Sequence, residues 1–226
     1  MNSTKELFTV GHSNLSIDAF IALLQQHGIT AVGDVRSHPY SRFLPHFNQS
    51  ALKAALLSAG IRYVFLGQEL GARVADPSCY VDGKASYEKI AATELFSEGI
   101  QRILKGAETY NISLMCAEKD PITCHRAILV CQHLREFELE IKHILSHGDL
   151  ESHEHLEDRL LVLHGLNQSE LAETAPKQLS LFEELQSQEL PIEPRSREDC
   201  LEQAYKQQGE QIAYVDTKTH QNEDLR

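Results

Sequence analysis

A chain of 226 residues, 42% of them hydrophobic, is long enough to bury one good core, and no apolar run approaches the ~18 residues that cross a bilayer. The net charge of −12 divides unevenly: residues 1–148 sum to −1 and residues 149–226 to −11, which excludes a uniformly acidic surface and leaves the front of the chain open to an anionic partner. The N-terminus MNSTKELFTVGHS has neither an apolar leader nor a small-residue cleavage site, and Cys79, Cys116, Cys124, Cys131 and Cys200 lack framework spacing, so the expectation is a cytoplasmic protein with reduced thiols and no membrane segment.

In chain order, FTVGHS (8–13) reads as a strand. Ser16 is placed to cap a helix with Ile17, Phe20, Ile21 and Leu24 on one face. ITAVGDVR (29–36) is a second strand, followed by a loop rich in aromatic and basic residues. A helix from Ser50 carries Leu52, Ala55, Leu56 and Ala59. IRYVFLG (61–67) is a third strand, 68–85 a long loop, and 86–105 a helix. ISLMCA is the fourth strand, a helix capped by Thr123 begins near 124, and EIKHIL (140–145) is the fifth strand. Strand–helix alternation of this kind predicts an α/β fold, a mainly parallel sheet of about five strands with helices on both faces. HGDLESHEHLEDRLLVLHGL (147–166) reads as one helix with a polar lead-in, and 198–213 as another. The expected organisation is an α/β core over 1–148, a helical extension over 149–166, a flexible linker over 167–197, and a C-terminal helix and tail over 198–226.

Ligands of open parallel sheets bind beyond the carboxyl ends of the strands. Those ends carry His12 and Ser13; Asp34 and Arg36, with Arg42 close behind; Arg73; and Cys116, Glu118 and Asp120. After Pro121, Cys124, His125 and Arg126 fall in a first helical turn. Cations there oppose the helix dipole unless an anion is bound, so Arg36, Arg42, Arg73, His125 and Arg126 are candidates to hold phosphate, with Ser13 beside them. The alternative is that Glu118 or Asp120 folds back to supply the negative charge, and that Asp34 forms a salt bridge. His12, Glu118 and Asp120 are acid–base candidates. Cys124 at a helix start, or Cys116 at a strand end, is a candidate nucleophile. Tyr40, Phe43 and Phe47 among basic residues suit base stacking, or else form an aromatic lid. The histidines 143, 147, 153, 155 and 164 have no zinc spacing and read as a solvated helix start, so no metal ligand is assigned and no cofactor is specified.

TVGHSN, GDVRS-x-P-x-SR, FN-x-x-x-L, GIRYVFLG-x-ELG-x-R, LMCAEKDP-x-x-CHR and HIL-x-x-G, followed by H-x-x-LE-x-RLL and AY-x-x-QG-x-x-IAY, resemble the family named domain of unknown function 488, DUF488. The resemblance covers nearly the whole chain. It implies a compact α/β fold with a polar pocket around the CHR turn, and a loose link to DNA repair. The DVR strand and the strand–cysteine–loop–helix order are also similar to the rhodanese sulfurtransferases. In the linker, Gln178, Leu179, Ser180, Leu181 and Phe182 resemble the bacterial sliding-clamp-binding pentapeptide, an amide followed by an apolar plug. The alternative is a short helix packed back on the core.

Three expectations follow. The first is a protein binding a phosphate-bearing ligand, nucleotide or nucleic acid, linked to repair or replication through a clamp-binding tail. The second is a cysteine-dependent sulfurtransferase or phosphatase-like enzyme. The third is a non-catalytic adaptor.

Overall fold

Short runs of β-branched and aliphatic residues form the sheet. A computed structural model describes residues 5–167 and 195–216. Strands β1 (Lys5–Gly11), β2 (Ala31–Asp34), β3 (Arg62–Phe65), β6 (Ile112–Cys116) and β7 (Leu139–Ile144) are parallel, in the spatial order β3-β2-β6-β1-β7. These are the five strands read from the sequence. β8 (Leu150–Ser152) adds an antiparallel edge, pairing Ile144 with Leu150. The sequence placed those residues in a helical lead-in. In fact the turn at Gly148 (φ 99°) reverses the chain onto β7, and Ser152 caps the helix that follows. A two-stranded hairpin, β4 (Tyr80–Val81) and β5 (Lys84–Ala85), lies inside the expected long loop.

Alternation along β1 divides the core. Phe8 and Val10 face a cluster with Phe20, Leu23 and Leu24 of α1 (Ile17–Gln26) and Leu52 and Leu56 of α2 (Gln49–Ser58). Leu7 faces the opposite cluster, with Ile90 of α3 (Tyr87–Ala91), Phe96, Ile100 and Ile103 of α4 (Glu94–Gly106), and Leu129 and Val130. The helix expected over 86–105 is thus two helices, because the Thr93 hydroxyl accepts from the Phe96 N–H and starts a new one.

The helix expected from Thr123 also begins differently. Pro121 opens a 3₁₀ turn capped by Asp120, whose carboxylate accepts from the Ile122 N–H at 3.1 Å. Thr123 ends that turn. Cys124 is extended (φ −132°, ψ 137°), and its carbonyl accepts from the N–H groups of Ala127 and Ile128. A π-helical segment, Arg126–Cys131, then leads into α5 (Gln132–Leu134). Such segments often mark functional sites.

α6 (His153–Leu163) and α7 (Arg197–Ile212) pack on the core, burying Leu160, Leu161, Cys200, Leu201 and Tyr205 with Ile122 and Ile128. The pentapeptide Gln178–Phe182 lies outside the described residues. Among the described residues, no helix is long and apolar enough to cross a membrane.

Candidate functional site

β1, β2 and β6 are neighbours, so their carboxyl ends form one edge. Beyond it the chain continues the parallel pairing: His12 N–H donates to Cys116 O and Ser13 N–H to Ala117 O, both at 2.9 Å. Ser13 reaches this position with φ 46°. The loop after β6 lies directly on Gly11, where a Cβ would sit 1.9 Å from the Glu118 carbonyl oxygen. Only glycine allows this approach.

That loop folds Cys116, Glu118, Cys124 and His125 into one cluster, one ligand-type atom from each lying within 4.8 Å of the others. Both thiols are aimed at the same oxygen, Glu118 Oε2, at 2.9 Å from Cys116 and 3.0 Å from Cys124. His125 Nδ1 is 3.6 Å from Cys116 Sγ, while its Nε2–H donates to the Val35 carbonyl at 2.9 Å. The second bond fixes the ring and turns Nδ1 to the sulfurs. Cys116 and Cys124 are buried and Glu118 is exposed, so the carboxylate roofs the thiols from the solvent side.

Electrostatics separates the two thiols. Burial, the bond with Cys124 and the nearby negative charges push Cys116 well up. Burial also pushes on Cys124, but the hydrogen bond from Cys116 and the charges of Arg126 and His125 outweigh it and hold this thiol well below its ordinary value. Burial and Cys124 raise Glu118. Burial opposes charge on His125, yet Cys124 and the Val35 carbonyl raise it. The phenol of Tyr87 is raised by burial and then by the charges of Cys124, Cys116 and Glu118. Tyr87 also lines a cavity of about 850 Å³ between α3, the β4–β5 hairpin and α7.

The arginines are not gathered into one clamp. Arg126 is fully buried, with its Nη1 donating to Glu118 O at 2.7 Å, Nη2 to Lys119 O at 3.2 Å and Nε to Thr9 Oγ1 at 3.4 Å, so it holds the loop in shape. Arg36 forms a bidentate pair with buried Asp34 (2.9 and 2.7 Å) and donates to Phe47 O. Arg73 lies over the Tyr214 ring at 4.4 Å. Arg42 is exposed. Asp120 is engaged by Arg159 at 2.8 Å as well as by its cap bond. His12 stacks on Phe47 at 4.1 Å and lies 3.3 Å from Arg36 Nη1. Burial, then Arg36, lowers it to about 4.

The histidines read as solvated divide in three, with His164 half-buried and 3.0 Å from Gln208 Oε1. His147 and His155 are exposed beside Asp149 and Glu151. His143 and His153 are buried in a chain of hydrogen bonds. Thr9 Oγ1 is 2.8 Å from His143 Nδ1, His143 Nε2 is 3.0 Å from His153 Nδ1, and His153 Nε2 is 3.0 Å from the Tyr205 hydroxyl, which donates to Glu157. Sequence reasoning passed over Thr9, Tyr87, Glu157 and Tyr205.

The family described as domain of unknown function DUF488 matches residues 16–132, which include all four members of the cluster. The chain belongs to the DUF488 family. No curated protein and no solved structure matches it. The matched span of DUF488 ends at Gln132, so β7 and the two helices that carry the far end of the histidine chain lie beyond it.

Proposed function

We propose that this DUF488 protein is built around a zinc-type metal centre held by Cys116, Glu118, Cys124 and His125. The observation that carries the reading is the convergence of two sulfurs, an imidazole nitrogen and a carboxylate oxygen within 4.8 Å. Thiolates with imidazole and one carboxylate suit Zn²⁺ better than the hard cations. The Nε2–H bond of His125 to Val35 is the outer contact that metal-binding histidines ordinarily make. Zinc bonds of roughly 2.0–2.3 Å give ligand-to-ligand distances of roughly 3.3–3.8 Å in a tetrahedron. The Cys116–His125 distance of 3.6 Å lies in that range. The sulfur–carboxylate distances of 2.9 and 3.0 Å are shorter than that range, so the Glu118 oxygen would draw back by some tenths of an ångström as a cation enters between it and the sulfurs.

Zinc would supply Lewis-acid chemistry there. Exposed Glu118 is the ligand placed to give way to water or substrate. Arg36 and Arg126 are committed inside the protein, so a phosphate-bearing ligand at the cluster would meet the metal and not these two arginines.

Metal analysis of the purified full chain tests the reading. The expected result is one zinc per chain, lost when Cys116→Ser and Cys124→Ser are combined and held more weakly in either alone or in Glu118→Gln. Wild-type protein with no more zinc than the double cysteine variant would refute it. Selective alkylation of Cys124 in that zinc-free protein would favour the cysteine-dependent enzyme instead, with the thiol at the helix start as nucleophile.

A further inference from the structure

The aromatic and basic residues of loop 37–48 divide into two sets. Phe47 is buried against His12 and Phe20, and Arg36 is paired with Asp34. Tyr40 and Phe43 are 75% and 77% exposed, more than any other large hydrophobic residue described. Between them in sequence, Arg42 is exposed and lies 4.6 Å above the Phe43 ring.

The loop that presents these rings is braced. Asn48 Oδ1 accepts from the Ser41 N–H at 2.6 Å, and Ser41 Oγ accepts from the N–H groups of Phe43 and Leu44, each at 3.2 Å. The Gln49 N–H donates to Pro39 O at 2.9 Å. Two flat apolar faces are therefore held out in water on an ordered segment, and a ligand stacking on them would incur little ordering cost.

Charge indicates which ligand. Residues 37–48 around the rings contain Arg42 and no Asp or Glu, in a chain with 33 acidic residues, whereas Arg36 is neutralised by Asp34 and Arg62 lies at the far, amino end of β3. The segment thus favours an anionic partner with flat apolar faces. Base and phosphate alternate in that way along a nucleic-acid strand, and a duplex hides its base faces where a single strand offers them.

We propose that loop 38–43 binds single-stranded nucleic acid, with bases stacked on Tyr40 and Phe43 and phosphate facing Arg42. The binding does not depend on a metal.

The test is fluorescence anisotropy of the full chain with a labelled DNA strand of about 16 nucleotides, with its RNA counterpart and with the DNA duplex. A single strand should bind, and the duplex at least about tenfold more weakly. Tyr40→Ala with Phe43→Ala should weaken strand binding about tenfold or more. Arg42→Ala should weaken it and flatten its salt dependence. The DNA and RNA arms decide which strand is preferred. The double variant removes exposed rings, and an unchanged thermal unfolding curve checks its fold. The Cys116→Ser, Cys124→Ser protein should bind like wild type, which separates this surface from the metal reading. Failure of wild type to bind either strand, equal binding by the ring variant, or loss confined to the cysteine variant would overturn the proposal.

Discussion

His143 on β7 and His153 on α6 meet at 3.0 Å in the interior, and the direction of every hydrogen bond around them follows from the ends of the chain. The Tyr205 hydroxyl donates to the Glu157 carboxylate, and with both rings neutral His153 then donates to Tyr205, His143 to His153 and Thr9 to His143, while Arg126 donates to Thr9. Both rings are neutral single tautomers. The cluster loop and the C-terminal helix are thereby joined through five side chains, and Arg135 completes the far end by donating to Glu157 at 2.8 Å.

Tyr205→Phe keeps the ring but leaves the His153 N–H without its acceptor and Glu157 with Arg135 as its remaining donor. The expected cost is about 1–3 kcal/mol of stability, measured by denaturant unfolding. Amide exchange should accelerate first in α7.

Acid should destabilise the protein before its carboxylates titrate. Burial holds His12 and His153 at about 4, and pushes His143 well below its ordinary value, whereas the unfolded chain protonates each near 6.5. Between these values unfolding takes up protons, so stability is complete above about pH 6.5 and falls as pH drops toward 4. His12 and His153 each contribute a loss of about 3 kcal/mol over that window. Unfolding free energies at pH 7 and pH 5 would reveal the slope, and His153→Gln should flatten it.

Much of the fold could be read from periodicity. Alternation along β1 and the helical spacing of α1 and α2 are local signals, and they placed five strands correctly. β8 escaped because its three residues carry no pattern and owe their pairing to β7. All members of the cluster were named as reactive groups, but Cys116 and Cys124 are eight residues apart and lack metal-ligand spacing. The 3₁₀ turn at Pro121–Thr123 and the contact on Gly11 bring them together, and neither is visible as a motif. The salt bridge weighed for Asp34 forms with Arg36, two residues on, whereas Arg126 looked available for ligand because its partners are carbonyls of the folded loop.

Gly11→Ala should act on the cluster from beneath. Its new Cβ, 1.9 Å from the Glu118 carbonyl oxygen, forces the loop off β1 and breaks the Arg126 contacts. The expectation is a loss of about 1–3 kcal/mol together with weaker zinc binding.

The pentapeptide makes a prediction from sequence alone. The full chain should bind a bacterial sliding clamp, and Leu181→Ala with Phe182→Ala should abolish that binding. No binding by either protein, or equal binding by both, would refute that role for the pentapeptide.

X-ray absorption at the zinc edge of the loaded full chain tests the central claim most directly. The account predicts two sulfur ligands at about 2.3 Å and two nitrogen or oxygen ligands at about 2.0–2.2 Å, with one sulfur lost in each single cysteine variant. A shell without sulfur, or one unchanged by either substitution, would contradict it.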